Sequence, residues 1–85
     1  MQGLCLARVP VNGRNFEYIS GEDPFLGFTL SQPLINGIQS QNVIANAKHF
    51  IMNNQETNRG GMTAAVDERT RFEMYCMHLA QTLRT

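Results

Sequence analysis

Val43-Ile44-Ala45-Asn46-Ala47-Lys48-His49-Phe50 begins apolar and ends on a cation, an imidazole and an aromatic ring. A short apolar run with β-branched residues at its start reads as a strand, and its polar finish places charge at the strand's carboxyl end. Ser40-Gln41-Asn42 breaks the chain just before it. Upstream, Asp23-Pro24 is a helix start: the Asp side chain accepts from unpaired amides, and Pro at the first helical position lacks an N–H it would not have used. The predicted helix runs from Pro24 to about Gln39. Phe28, Ile35 and Ile38, widened by Phe25, Leu30 and Leu34, supply its expected buried face. Pro33 predicts a kink between Thr29 and Pro33, because it removes one hydrogen bond and crowds the preceding turn. Gly37 weakens the last turn. Further upstream, the nearly continuous apolar run from Leu4 to Val9 reads as a strand buried on both faces. Strand, helix, strand is the βαβ unit, which makes the two strands parallel.

Downstream, Ile51 to Ala65 is a polar, Asn-rich segment around Gly60-Gly61. Val66-Asp67-Glu68-Arg69 opens a final helix, with Asp67 as its cap and Glu68 at its positive end. Phe72, Tyr75 or Cys76, Leu79 and Leu83 form the expected apolar stripe. The whole reads as α/β, strand-helix-strand-helix.

The 85 residues carry seven basic and seven acidic side chains and no net charge. Only Lys48 is a lysine, and the arginines at 8, 14, 59, 69, 71 and 84 are dispersed. A nucleic-acid partner is therefore not expected. The apolar runs fall far short of the ~20 residues that span a bilayer, so no membrane partner is expected. No basic stretch precedes an apolar h-region after Met1, so no export signal is expected in the chain as written. Cys5 and Cys76 have no metal-ligand spacing with His49 or His78, and all four read as carrying no metal. The cysteines read as buried small hydrophobes.

In parallel β/α architectures ligands bind where the carboxyl ends of the strands and the following loops converge. Two polar groups belong there: Gly13-Arg14-Asn15-Phe16-Glu17 after the first strand, and Lys48-His49-Phe50 with Asn53-Asn54-Gln55-Glu56 after the second. Cations, an imidazole, amides and carboxylates suit a neutral polyhydroxylated ligand, whose hydroxyls donate and accept. A sugar is the natural inference. The plainer alternatives are a solvated strand edge, an ion pair of Lys48 with Glu56, or Arg14 as a clamp on Glu17 or Glu22. Glu17 and Glu56 read as ion-paired loop supports rather than as a catalytic pair.

Gly13-Arg14-Asn15-Phe16-Glu17-Tyr18, Ser20-Gly21-Glu22-Asp23-Pro24, Gly37-Ile38-Gln39-Ser40-Gln41, Val43 to Phe50, Asn53 to Thr57 and Val66 to Thr70 follow in fixed order and spacing. Together they resemble the β-glucosidase type of glycoside hydrolase family 3, from about Leu4 to Tyr75. The resemblance implies part of an N-terminal (β/α)₈ TIM barrel over residues 1–75, with a divergent tail at 76–85. It also implies that Arg14, Lys48 and His49 hold hydroxyls of the terminal glucose in subsite −1. The partner so implied is a β-glucoside or glucose, with no cofactor and no metal. N-acetylglucosaminidase-type members follow the Lys-His pair with a Pro-Gly-His-Gly-type segment. This chain continues Ile51-Met52-Asn53-Asn54, which favours the glucosidase type and makes His49 a binder rather than a general acid.

Departures from the family pattern set a second expectation. Retaining glycosidases use two carboxylates roughly 5 to 5.5 Å apart. The family takes its nucleophilic aspartate from a later barrel strand in a Ser-Asp-Trp-like context, its acid/base from further on, and another sugar-gripping aspartate from upstream. None of these is expected within these residues. A TIM barrel takes ~250 residues, so the chain is expected to be a barrel fragment, inactive alone. The competing expectation is a non-catalytic remnant with at most weak sugar binding. Intact members are commonly secreted, which leaves the location of this chain open.

Overall fold

The structure is a computed structural model and describes residues 2–82. Two short strands, β1 (Gln2–Gly3) and β2 (Ala47–Lys48), form a parallel pair with Gln2 opposite Ala47 and Gly3 opposite Lys48. Parallel neighbours need a long crossover. It is supplied by two single 3₁₀ turns, Pro10–Asn12 and Asn15–Glu17, followed by helix α1 (Pro24–Gln39). After β2 come a loop, a helical turn α2 (Glu68–Thr70), a wider π-type turn over Arg71–Tyr75, and α3 (Met77–Thr82).

The helix bounds Pro24–Gln39 agree with the sequence reading, and the Asp23 carboxylate accepts from the amides of Phe25 and Leu26. The helix continues unbroken through Pro33. Its buried face matches the expected one in part: Ile35 is buried and Phe28, Leu34 and Ile38 are half-buried. Gly27, Ser31 and Ile35 are buried at four-residue spacing, whereas Phe25, Leu26 and Leu30 are exposed. The buried Ser31 hydroxyl is satisfied inside the helix by donating to the Gly27 carbonyl. α1 packs chiefly against α3.

The strands are shorter than the sequence predicts. Leu4, Cys5 and Leu6 are fully buried, as an inner strand would be, but only Leu4 extends the ladder, its amide donating to the Lys48 carbonyl. Beyond it, other partners serve the backbone. The Ala7 amide donates to the Gly21 carbonyl at 2.7 Å, the Ser20 hydroxyl to the Cys5 carbonyl at 3.0 Å, and the Asn54 amide to the Leu6 carbonyl. Burial without a neighbouring strand is met by loops and side chains. Val43 and Ile44 lie outside the strand and are exposed, Ile44 at 91%. Apolar residues extend as a strand only where a partner edge accepts their hydrogen bonds, and β1 offers two residues.

The final helix opens as expected, with the Asp67 carboxylate accepting from the Thr70 amide at 2.9 Å. It is not a uniform α-helix: the Cys76 amide reaches back to the Arg71 carbonyl at 3.0 Å, one residue further than α-helical geometry. Phe72 is exposed rather than part of a buried stripe, and Leu83 lies outside the described residues. Cys5 and Cys76 are free thiols, Cys5 buried and Cys76 partly buried.

Candidate functional site

Gly13 has φ of 93°, a left-handed conformation natural to glycine, and it ends the first 3₁₀ turn. Gly13 also bridges to Gln55, and the Glu56 amide donates to the Asn12 carbonyl at 2.9 Å. The loop after β1 is thereby tied to the loop after β2. The Asn15 side-chain amide donates to the Val9 carbonyl at 2.8 Å, closing the turn on its other side. Arg14 stands between these ties. Lys48 is the last residue of β2, and the Lys48–His49 peptide is cis.

The three residues singled out from the sequence meet here. Arg14 Nη2 lies 3.2 Å from His49 Nε2, and Arg14 Nη1 donates to Glu56 Oε2 at 3.0 Å. Arg14 Nε lies 3.3 Å from Glu17 Oε1, and the Lys48 ammonium contacts the other oxygen of Glu17. The glutamates are therefore ion-paired supports. Glu17 is the partner of Lys48 where the sequence suggested Glu56, and Arg14 clamps both Glu17 and Glu56. Glu56 is also 3.8 Å from Arg59.

Contact with the Lys48 ammonium, reinforced by Arg14, holds the Glu17 carboxyl below its usual range. Burial, together with the positive charge of Arg14 and Lys48, lowers the His49 imidazole from its ordinary value, against an opposing pull from Glu17. The site thus keeps Glu17 ionised and His49 neutral near pH 7.

Two members were not legible from residue types. Tyr18 is buried, and its hydroxyl donates to the Asn53 carbonyl at 2.9 Å while lying 3.2 Å from His49 Nδ1. Its ring meets the imidazole edge to face, centroids 6.1 Å apart. Burial pushes the phenol up to about 12. Cys5 Sγ sits between the His49 amide and carbonyl at 3.3 and 3.2 Å and holds the backbone of that residue. The signal available for Tyr18 was its place in the Glu17-Tyr18 pair. A tyrosine in a small core brings a hydroxyl that needs partners.

A separate cavity of about 300 Å³ lies between Arg8, Met52, Gln55, Met62 and Tyr75. None of the three predicted residues lines it. Among the described residues, no group of three His, Cys, Asp or Glu side chains could hold a metal ion, and no helix is long and apolar enough to cross a membrane.

Curated sequences resemble the chain over most of its length. It is 51% identical over 73 residues to a thermostable β-glucosidase B of Acetivibrio thermocellus, covering 86% of this chain and 10% of that protein. It is 50% identical over 68 residues to a β-glucosidase A of Butyrivibrio fibrisolvens, covering 80% and 8%. A β-glucosidase of Bacteroides ovatus is 45% identical over 73 residues, covering 86% and 10%. The chain spans about a tenth of the length of these relatives. No family model matches it, and no solved structure does. Over most of its own length the chain is similar to a segment of these glycoside hydrolases. The relatives named are β-glucosidases, consistent with a fragment of the family 3 type.

Proposed function

We propose that this chain supplies part of the glucose-binding subsite of a retaining β-glucosidase with a (β/α)₈ barrel, and that these 85 residues alone break no glycosidic bond. The observation that carries the reading is the convergence of Arg14 with Lys48 and His49, from two distant segments, at the carboxyl end of a parallel strand. That is where barrel enzymes place their ligands. The donor arithmetic fits a polyol. A guanidinium has five N–H donors and an ammonium three, and each cation here keeps donors beyond those directed at Glu17, Glu56 and His49. The spare donors meet hydroxyl oxygens, while Glu17 and Glu56 keep the cluster near neutrality so that an uncharged ligand is not at a disadvantage. The exposed Val43 and Ile44 fit a barrel unit whose neighbouring strands cover them.

The second reading, a non-catalytic remnant, has one observation in its favour. Both carboxylates of the cluster are engaged by cations, and an ionised Glu17 cannot deliver a proton to a leaving group. The coding sequence flanking this chain separates the two: a downstream aspartate in a Ser-Asp-Trp-like context supports the enzyme, and its lack supports the remnant. For the chain itself, the test is a glucose titration followed by NMR, alongside an aryl β-glucoside assay. The expected result is weak binding that shifts Arg14, Lys48 and His49 signals, is lost in Lys48→Met, and comes with no hydrolysis. Turnover of the glucoside, or shifts confined to other residues, contradicts the proposal.

A further inference from the structure

We propose that Tyr18 is a positioning residue that fixes His49 as the neutral Nδ1–H tautomer, leaving Nε2 as a hydrogen-bond acceptor beside Arg14. The assignment follows from counting protons along one chain of contacts. A guanidinium has only donors, so the Arg14 Nη2 contact at 3.2 Å requires a lone pair on His49 Nε2. A neutral imidazole with a lone pair on Nε2 carries its proton on Nδ1. That proton needs an acceptor, and the Tyr18 oxygen lies 3.2 Å away. The tyrosine oxygen can accept because its own proton is directed at the Asn53 carbonyl, 2.9 Å away. Each link runs in one direction: Arg14 donates to His49, His49 to Tyr18, and Tyr18 to a backbone carbonyl with nothing to give back.

The other two states of His49 break this chain. With the proton on Nε2, an N–H would face an Arg14 N–H, and Nδ1 would compete with Asn53 for the single tyrosine proton. With both nitrogens protonated, a cation would stand against Arg14, near Lys48 and Arg59, with Glu17 opposing. The upward displacement of the phenol acts in the same direction, since the tyrosine keeps its proton at every ordinary pH. The hydrogen bond on one imidazole nitrogen thus decides what the other can do.

The consequence for a ligand rests on the sugar-site reading above. Any group that takes the place of Arg14 at Nε2 must donate a proton, as a sugar hydroxyl does and a fluorine substituent cannot. Tyr18 would thereby set a donor requirement without touching the ligand.

The test is a long-range proton–nitrogen NMR spectrum of the ¹⁵N-labelled chain at neutral pH without sugar, with His49 assigned by comparison with the His78→Gln variant. The expected spectrum shows His49 protonated at Nδ1 and unprotonated at Nε2, with a through-space contact from the Nδ1 proton to the Tyr18 ring. Tyr18→Phe is expected to reduce the Nδ1–H population to half or less while leaving the amide spectrum dispersed. A wild-type His49 mainly protonated at Nε2, as a free histidine side chain is, overturns the proposal. So does a folded Tyr18→Phe chain that retains the Nδ1–H form in full. If that variant does not fold, the wild-type contact between the Nδ1 proton and Tyr18 decides, and its absence overturns the assignment. No sugar is present in any arm, so a failure of the glucose reading leaves these outcomes unchanged.

Discussion

Two sets of ion pairs in this chain use the same side chains in different settings. In the C-terminal helical segment, Arg69 lies 3.0 Å from Glu73 with the side chains 83% and 61% exposed, one helical turn apart. At the end of β2, Arg14, Glu17 and Lys48 form pairs with side chains only 12–22% exposed. The first is a local surface pair, screened by water and salt. The second joins segments over thirty residues apart and is backed by the core, since Tyr18 and Cys5 pack beneath His49. Charge pattern alone does not distinguish them. What separates a site from a surface pair is which backbone brings the charges together.

The largest effects are expected where the core supports the cluster. Leu6→Ala removes a fully buried side chain and is expected to cost ~2–5 kcal/mol by urea unfolding. Gly3→Ala places a Cβ against the Glu17 carbonyl and 2.7 Å from the Tyr18 ring. Overpacking of this kind costs ~1–3 kcal/mol, and it should also disturb the His49 NMR signal. A Gly3→Ala chain as stable as wild type would break the link between core and cluster.

Next comes the cluster itself. Lys48→Met removes a charged donor, and losing a charged hydrogen bond of ~1.5–3 kcal/mol predicts glucose binding about 10- to 100-fold weaker. It also lets the Glu17 carboxyl move back up toward its ordinary range, readable by carboxyl NMR.

Acid sharpens the contrast further. His49 and Glu17 both titrate below their ordinary values in the folded chain. In each case the unfolded chain takes up its proton first as pH falls, so stability is lost on acidification. The His49 contribution is present above 6.5 and declines as pH falls from there toward its lowered folded value. The Glu17 contribution is present above 4.5 and declines below it. His49→Gln should remove the upper step, as seen by thermal unfolding across that pH range.

The smallest effect belongs to the surface pair. Arg69→Ala should change stability by about 0.5 kcal/mol or less, with no change at His49. A larger loss would show that the helical pair carries more than its exposure suggests.

The parts of the molecule legible from sequence were those decided within a few residues. Asp23-Pro24 and the break at Ser40 bounded α1 because caps act locally. Asp67 opened the final helix for the same reason. The strands were over-read, since a ladder depends on a partner edge elsewhere in the chain, and Val43 and Ile44 have none among the described residues. The buried face of α1 was legible only in part: Ile35 is buried and Phe28, Leu34 and Ile38 are half-buried, but hydrophobicity does not mark the small residues Gly27 and Ser31 that share that face. Strand ends gather loop residues, which marked the segments that carry Arg14, Lys48 and His49, and the resemblance to the family singled out these three among their polar neighbours. The Arg14–Glu17 clamp, three residues apart, was among the readings of the sequence, whereas the Lys48–Glu17 pair and the Tyr18 relay join residues far apart in sequence, which no spacing rule supplies.

The claim that most needs testing is that Arg14, Lys48 and His49 form one glucose-binding cluster. A titration of the labelled chain with glucose, repeated on Lys48→Met, addresses it directly. The account predicts saturable shifts of Arg14, Lys48 and His49 signals in the wild type and their loss in the variant. Saturable shifts that persist in Lys48→Met, or none at these three residues in a chain with a dispersed spectrum, would contradict it.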